Sequence, residues 1–259
     1  MSSSLPKEDS GVVKKDSQQT SEIHPYSYTE DSTRQANALI EALAIAKQNS
    51  NQEQFHKAYD QQIDGLPAVK VDITIGYLFS KTHKHLLLRR TSHFAVNLDL
   101  YIIKGDKLES VVNHEEPWYA YEGDTIQDVN GDDQKDFLVK WYPASGCCLR
   151  HMYNVFLNVD NSGTFSNYIE FINPTFSPGE KIVRGITYGH PGEASLYKCQ
   201  WNGLKLDTIE FIFHDPTNKD LLIKNKKDSY LYKGEDGVKL KEVPKEYLII
   251  RGYDWFVGF

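Results

Sequence analysis

Residues 68–79 read AVKVDITIGYLF, and within them Val69, Val71, Ile73, Ile75, Tyr77 and Phe79 alternate with Lys70, Asp72, Thr74 and Gly76. A period of two places the apolar set on one face of an extended chain, so this stretch is a half-buried β-strand. Similar segments recur at about 84–90, 95–103, 107–113, 117–126, 136–142, 151–159, 165–172, 181–189, 194–202, 204–213, 221–225, 229–233 and 238–250. Turn signals separate them, among them Lys104-Gly105-Asp106, Asn161-Ser162-Gly163, Trp201-Asn202-Gly203 and Glu235-Asp236-Gly237. Many short strands joined by hairpin turns predict a mainly β protein, an antiparallel meander forming a sandwich, a barrel or a partial propeller. No unit of roughly 40–50 residues repeats, which disfavours a full propeller.

Upstream of this stretch the period changes. Ser32 with Gln35 fits a capping box, and Leu39, Ile40 and Leu43 follow at helical spacing, predicting a helix at about 33–48. Ser50 with Glu53 repeats the signature, Phe55, Tyr59 and Ile63 form a short stripe, and Gly65, Leu66 and Pro67 end it, predicting a second short helix. The helical segment 33–64 thus opens a single β-rich domain at 32–259, and residues 1–31, polar and mixed in charge, read as a disordered tether. The carboxyl end, RGYDWFVGF, is too apolar for a tail and is expected to form a closing strand that buries Trp255 or Phe256.

The chain has 259 residues, 29 Lys and Arg against 36 Asp and Glu, and a formal net charge of -7. That balance argues against a nucleic-acid partner, since a protein that grips phosphates concentrates basic residues. The 40% hydrophobic content supports a sizeable core, and no stretch approaches the roughly 20 apolar residues that span a bilayer. The first residues contain no apolar run of signal-peptide type, which fits a cytoplasmic chain. The abrupt start MSSS before a polar tether also resembles a mature bacterial lipoprotein whose acylated Cys is replaced by Met, implying a periplasmic or membrane-anchored location. Three cysteines, Cys147, Cys148 and Cys199, are too few for a disulfide scaffold and lack the C-x-x-C spacing of a zinc or redox site. At most one disulfide is expected, from Cys147 or Cys148 to Cys199.

The motif with most chemical content is DTIQDVNGDDQKDFLVKW at 124–141. Asp128, Asn130, Asp132 and Asp136 occupy positions 1, 3, 5 and 9 of a D-x-N-x-D-x-x-x-D loop, and the carbonyl of Gln134 at position 7 completes the arc. Oxygen donors at alternate positions of a tight loop suit one hard cation, Ca2+ before Mg2+, which demands a stricter octahedron. Position 6, where Gly usually allows a positive φ, is Asp133, a departure that favours the competing reading below, although Asp tolerates the left-handed region better than most residues. The competing reading is an acidic turn held by its own Asx hydrogen bonds.

This segment, D-x-N-G-D-x-x-x-D-F-L-V, resembles the calcium loop of FG-GAP or VCBS repeats. It is followed by Ser145-Gly146, a strand with Tyr153, Val155 and Leu157, the turn Asn161-Ser162-Gly163, and the runs YIEFINPTFSPGEKIV and EASLYKCQWNGLKLDTI. That order is similar to a family of bacterial periplasmic proteins related to the invertebrate-type lysozyme inhibitors, over roughly residues 95–215. The resemblance implies a non-enzymatic β-rich inhibitor or immunity protein against a peptidoglycan hydrolase. It also implies that the loop Tyr142 to Arg150, YPASGCCLR, enters the hydrolase cleft, with Tyr142, Ser145, Gly146 and Arg150 as contacts. The adjacent Cys147-Cys148 departs from that pattern.

Other constellations are weaker. His83 and His85 lie two apart but lack a third ligand at a recognisable spacing, and Lys81, Lys84, Arg89 and Arg90 around them read as a solvated, charge-protected edge. Glu115, Glu116, Glu122 and Asp124 offer paired carboxylates in principle. No G-x-S-x-G, P-loop, G-x-G-x-x-G or H-E-x-x-H appears. Trp118, Tyr119, Tyr121, Trp141 and Tyr142 bracket the loop and suggest an alternative role as a cell-surface glycan-binding module.

Overall fold

A computed structural model describes residues 27–63, 66–144, 148–159, 163–234 and 237–258. It is mainly β and built from antiparallel sheets, which form no closed barrel among the described residues. The first sheet has the order β1 (Phe55–Ile63), β2 (Leu66–Gly76), β3 (Lys84–Thr91), β4 (Ala95–Lys104), β5 (Lys107–Pro117). The second pairs β6 (Tyr121–Gln127), β7 (Asp136–Trp141), β8 (Met152–Phe156) and β11 (Ile169–Ile172), while β9 (Asn158–Val159) and β10 (Thr164–Phe165) form a small ribbon. The third runs in order through β12 (Pro174–Ser177), β13 (Ile182–Ile186), β14 (Leu196–Asn202), β15 (Lys205–Asp215), β16 (Asn218–Asn225) and β17 (Val238–Leu240). Strand partners are thus sequence neighbours almost throughout, as hairpin connections dictate.

Successive side chains point to opposite faces, so continuous apolar runs such as Leu86–Leu88 make a sheet apolar on both faces, and four clusters fill the gaps. Helix α1 (Tyr28–Gln48) lays Ala38, Ala42 and Ala46 on Val69, Val71, Ile73 and Ile75 of the first sheet. Leu87, Leu98, Leu100 and Val112, on that sheet's other face, meet Phe137, Val139 and Phe156 of the second. Leu138, Val155 and Phe171 then meet Val183, Tyr197 and Trp201 of the third. The outer face of the third sheet, with Ile186, Leu196 and Ile212, is covered by Tyr247, Ile250 and Phe256.

Several local expectations are corrected. The helix begins at Tyr28, because Ser27 and Glu30 make the capping box that was assigned to Ser32 and Gln35. Residues 28–31 therefore belong to the helix, and the tether expected at 1–31 otherwise falls outside the described residues, apart from Ser27. Its buried stripe is the alanines at i, i+4 and i+8, while Ile40 is exposed; small side chains let the helix axis approach the sheet closely. The second helix does not form: Phe55–Ile63 is an edge strand paired with β2, from Phe55 opposite Ile75 to Ile63 opposite Leu66. Phe55 and Tyr59 are four apart, a spacing that fits a helix turn and two strand repeats alike. The open edge of β2 decided between them.

At the carboxyl end, Tyr253–Val257 is a short helix, α2, rather than a closing strand, bracketed by left-handed Gly252 and Gly258. Phe256 is buried as expected. Residues 229–231 form a 3-10 turn opened by the Asp228 side chain, and the expected strand 238–250 ends at Leu240, followed by a second 3-10 turn at Lys245–Tyr247 after Pro244. Expected strand 117–126 is broken by a turn at 118–120. His85 is fully buried on β3, an interior strand, not on a solvated edge. Two of the neighbouring cations are neutralised in place, Arg89 by Asp72 and Asp124 and Arg90 by Asp99, while Lys84 donates to the Ser50 and Gln52 carbonyls.

Candidate functional site

The loop 128–136 joins β6 to β7 at the end of the second sheet, and its acids organise its backbone. The Asp128 carboxylate accepts from the N–H groups of Asn130 (3.1 Å), Gly131 (2.7 Å) and Asp133 (3.0 Å). Asn130 Oδ1 accepts from Asp132 N–H at 3.3 Å, and Asp132 Oδ1 from Gln134 N–H at 2.9 Å. Asp132 Oδ2 also accepts from the Asn130 side-chain amide at 3.1 Å. Asp133 adopts φ +64°, the left-handed conformation required of position 6, and Gly131 adopts φ +74°.

Asp136 closes the loop from beneath. It is fully buried, accepting from Val129 N–H at 2.9 Å and Asn158 N–H at 3.0 Å. Burial pushes its carboxyl up to about 7; the two backbone donors pull the other way, and the charges of Asp132 and Asp128 add to the rise. Among the described residues, none of Asp128, Asp132 and Asp136 forms an ion pair with a cationic side chain.

The donor set of Asp128, Asn130, Asp132, Asp136 and the Gln134 carbonyl is all oxygen, the chemistry of a hard cation. Its present arrangement is that of an Asx-bonded turn: among the described residues, no group of three or more His, Cys, Asp or Glu is gathered to hold a metal ion. Each carboxylate oxygen that accepts one backbone N–H retains a second lone pair.

The loop touches the third sheet and faces the first across a cavity. Gly131 lies against the Pro178 carbonyl and the Lys181 side chain on the third sheet's β12–β13 turn. Asp133 and Lys135 line a cavity of about 370 Å³ with Tyr77–Thr82, the β2–β3 connection. Both juxtapositions join residues about fifty positions apart, so no local pattern signals them.

The expected partner loop, Tyr142 to Arg150, lies at the other end of β7, six residues or roughly 20 Å from Asp136. The length of β7 therefore separates it from the metal loop. Ser145 and Gly146 fall outside the described residues. Tyr142 donates its hydroxyl hydrogen to the Cys148 carbonyl and sets its ring edge on His151, while the Arg150 guanidinium lies 4.8 Å above the Tyr188 ring. Cys199 is buried on β14 and Cys148 lies in the loop, so the expected bridge between those two is not made.

The acids considered as a catalytic pair are each matched to a different partner. Glu116 meets His114 and Asn154, Glu122 meets His151 and Lys140, and Asp124 meets Arg89 and the Tyr121 hydroxyl. Of the bracketing aromatics, Trp118 and Tyr119 are exposed, whereas Tyr121, Trp141 and Tyr142 are half-buried. No family model, curated protein or solved structure matches the chain.

Proposed function

We propose that the Asp128–Asp136 loop binds Ca2+ and that the protein is a non-enzymatic binding module whose second sheet the ion fastens to its neighbours. The observation that carries this reading is Asp136, a fully buried carboxyl close to two further carboxylates with no cationic partner among the described residues. A divalent cation would supply the missing charge, with Asp128, Asn130, Asp132, Asp136 and the Gln134 carbonyl as ligands once their side chains release backbone donors. Three sheets stacked face to face are read as a sandwich extended by one sheet, with the ion at one rim and the 142–150 loop at the other.

The partner is proposed to be a peptidoglycan hydrolase, engaged as by an inhibitor or immunity protein through Tyr142, Ser145, Gly146 and Arg150, in the periplasm or at a lipid-anchored surface. The arrangement of Arg150 over Tyr188 supports this by presenting a cation and an aromatic ring together beside the loop. Calorimetric Ca2+ titration of chelator-treated protein tests the metal site, with Asp132→Ala as control: saturable binding lost in the variant is expected, and no binding at millimolar Ca2+ refutes it. Inhibition of a muramidase that Arg150→Ala weakens is the expected partner result. A glycan-binding role is favoured instead if Trp118 and Tyr119 substitutions abolish retention on a glycan column without any hydrolase present.

A further inference from the structure

Two loops from different sheets bring a thiol and an imidazole together. Cys148 follows β7 in the second sheet, and His190 follows β13 in the third; Cys148 Sγ and His190 Nδ1 are 3.6 Å apart. The thiol is half-buried and the imidazole exposed, so a small reagent reaches the pair from solvent. Both sides are held in place. The Cys148 carbonyl receives the Tyr142 hydroxyl, and Asn173 Nδ2 donates to the next carbonyl, Leu149, at 2.9 Å. The His190 loop is clamped from α2: Trp255 Nε1 donates to the Gly189 carbonyl at 2.9 Å, and Gly192 N–H donates to the Trp255 carbonyl at 2.9 Å. Cys148 keeps φ at +94°, a conformation that a non-glycine residue holds only when its surroundings impose it.

We propose that Cys148 and His190 form a nucleophilic thiol–imidazole pair that undergoes exchange with low-molecular-weight disulfides. His190 Nδ1 takes the thiol proton, and the Cys148 thiolate attacks one sulfur of the disulfide. A new S–S bond to Cys148 forms as the original S–S bond breaks. The departing thiolate takes a proton from the imidazolium. Cys148 ends as a mixed disulfide, oxidised, and one half of the reagent leaves as a reduced thiol. Other groups around the loop are Tyr142, Arg150 over Tyr188, and His151 held by Glu122; none of them meets the sulfur in a described hydrogen bond, whereas His190 does. The site is separate from the proposed metal loop, which lies at the far end of β7.

The size of the effect follows from two opposing terms. An imidazole that can take the thiol proton raises the fraction of thiolate at pH values below the ordinary thiol range. The more stable thiolate is intrinsically less nucleophilic, but with a slope of about 0.4–0.5 on basicity this loss is smaller than the gain in thiolate fraction, so the net effect is a faster reaction. At pH 9.5, where both thiols are ionised, only the second term remains and the order of rates reverses.

The test measures the rate of mixed-disulfide formation with oxidised glutathione, located by fragment mass spectrometry, in the wild type, His190→Gln and Trp255→Phe. Expected at pH 6.5 is reaction at Cys148 severalfold faster in the wild type than in His190→Gln, with a partial loss in Trp255→Phe, and a reversed order between wild type and His190→Gln at pH 9.5. A structural role for His190 alone would not produce that reversal. Equal wild-type and His190→Gln rates across the pH range, or modification confined to other cysteines, overturns the proposal. If His190→Gln fails to fold, an unchanged rate in a folded Trp255→Phe protein likewise overturns it.

Discussion

Gly131→Ala probes the joint between the metal loop and the third sheet. Two costs apply. Gly131 has φ +74°, where an L-residue with a Cβ loses about 1–2 kcal/mol relative to glycine. A methyl at this position would also overlap the Pro178 carbonyl and lie 3.0 Å from Lys181 Cγ. The carbonyl belongs to a backbone turn that packs on β13 and cannot rotate away as a side-chain tip can, so a further overpacking cost of about 1–3 kcal/mol is expected. Gly105 and Gly203 supply the control, because they share the left-handed conformation, at φ +64° and +62°, and have open space where a Cβ would stand. Urea denaturation should therefore place Gly105→Ala and Gly203→Ala about 1–2 kcal/mol below the wild type and Gly131→Ala about 2–5 kcal/mol below it. If Gly131→Ala costs no more than the two controls, the loop does not dock on the 178–181 turn and the argument for its role between sheets fails.

The Asp136 carboxyl, pushed up to about 7 from an ordinary 3.8, keeps its proton in the folded state where the unfolded chain has lost it. Its contribution therefore lowers stability as pH rises from about 4 to about 7 and is constant above that, by at most about 4 kcal/mol. Urea midpoints with and without millimolar Ca2+ should diverge increasingly over this interval, as the cation replaces the proton; parallel curves would count against the metal reading. Arg89→Ala leaves Asp124, whose side chain is 4% exposed, without its two-point partner, and should cost about 3–5 kcal/mol. Removing Asp124 as well should recover part of that loss, and a double-mutant cycle without coupling would show that the pair does not join the first two sheets. Phe137→Ala, at 0% exposure between those sheets, should cost about 3–5 kcal/mol by denaturant midpoint with an unchanged m-value. A cost under about 1 kcal/mol would mean the gap between the sheets is not tightly packed there.

The alternation at 69–79 and the turns at Gly105 and Gly203 are local properties, and they sufficed to specify a mainly β, antiparallel meander. The oxygen ladder from Asp128 to Asp136 was equally visible, including the left-handed demand on Asp133, since hydrogen bonds two to five residues apart depend only on the loop itself. Ambiguity entered wherever one spacing satisfied two periods. Phe55 and Tyr59 fit a helix or a strand, and β2, lying beyond the next turn, made the choice. Two capping boxes competed for the start of α1, and Asp31, which accepts from the Ser92 hydroxyl in the β3–β4 turn, lies on the turn gained by starting at Ser27. Left-handed glycines at 252 and 258, with Phe256 seeking the outer face of the third sheet, turned an apolar tail into a helix instead of a strand.

Tertiary structure alone decided what meets across the sheets. No spacing connects Arg89 with Asp124, Gly131 with Pro178, or Cys148 with His190, because these contacts form between faces and rims of sheets that stack only after their strands have paired. Local sequence therefore determined the strands, turns and acidic loop through short-range backbone preferences. The burial of Asp136, the separation of the two candidate loops by the length of β7, and the thiol–imidazole pair arose from the packing of three sheets, where side chains distant in sequence compete for the same buried space.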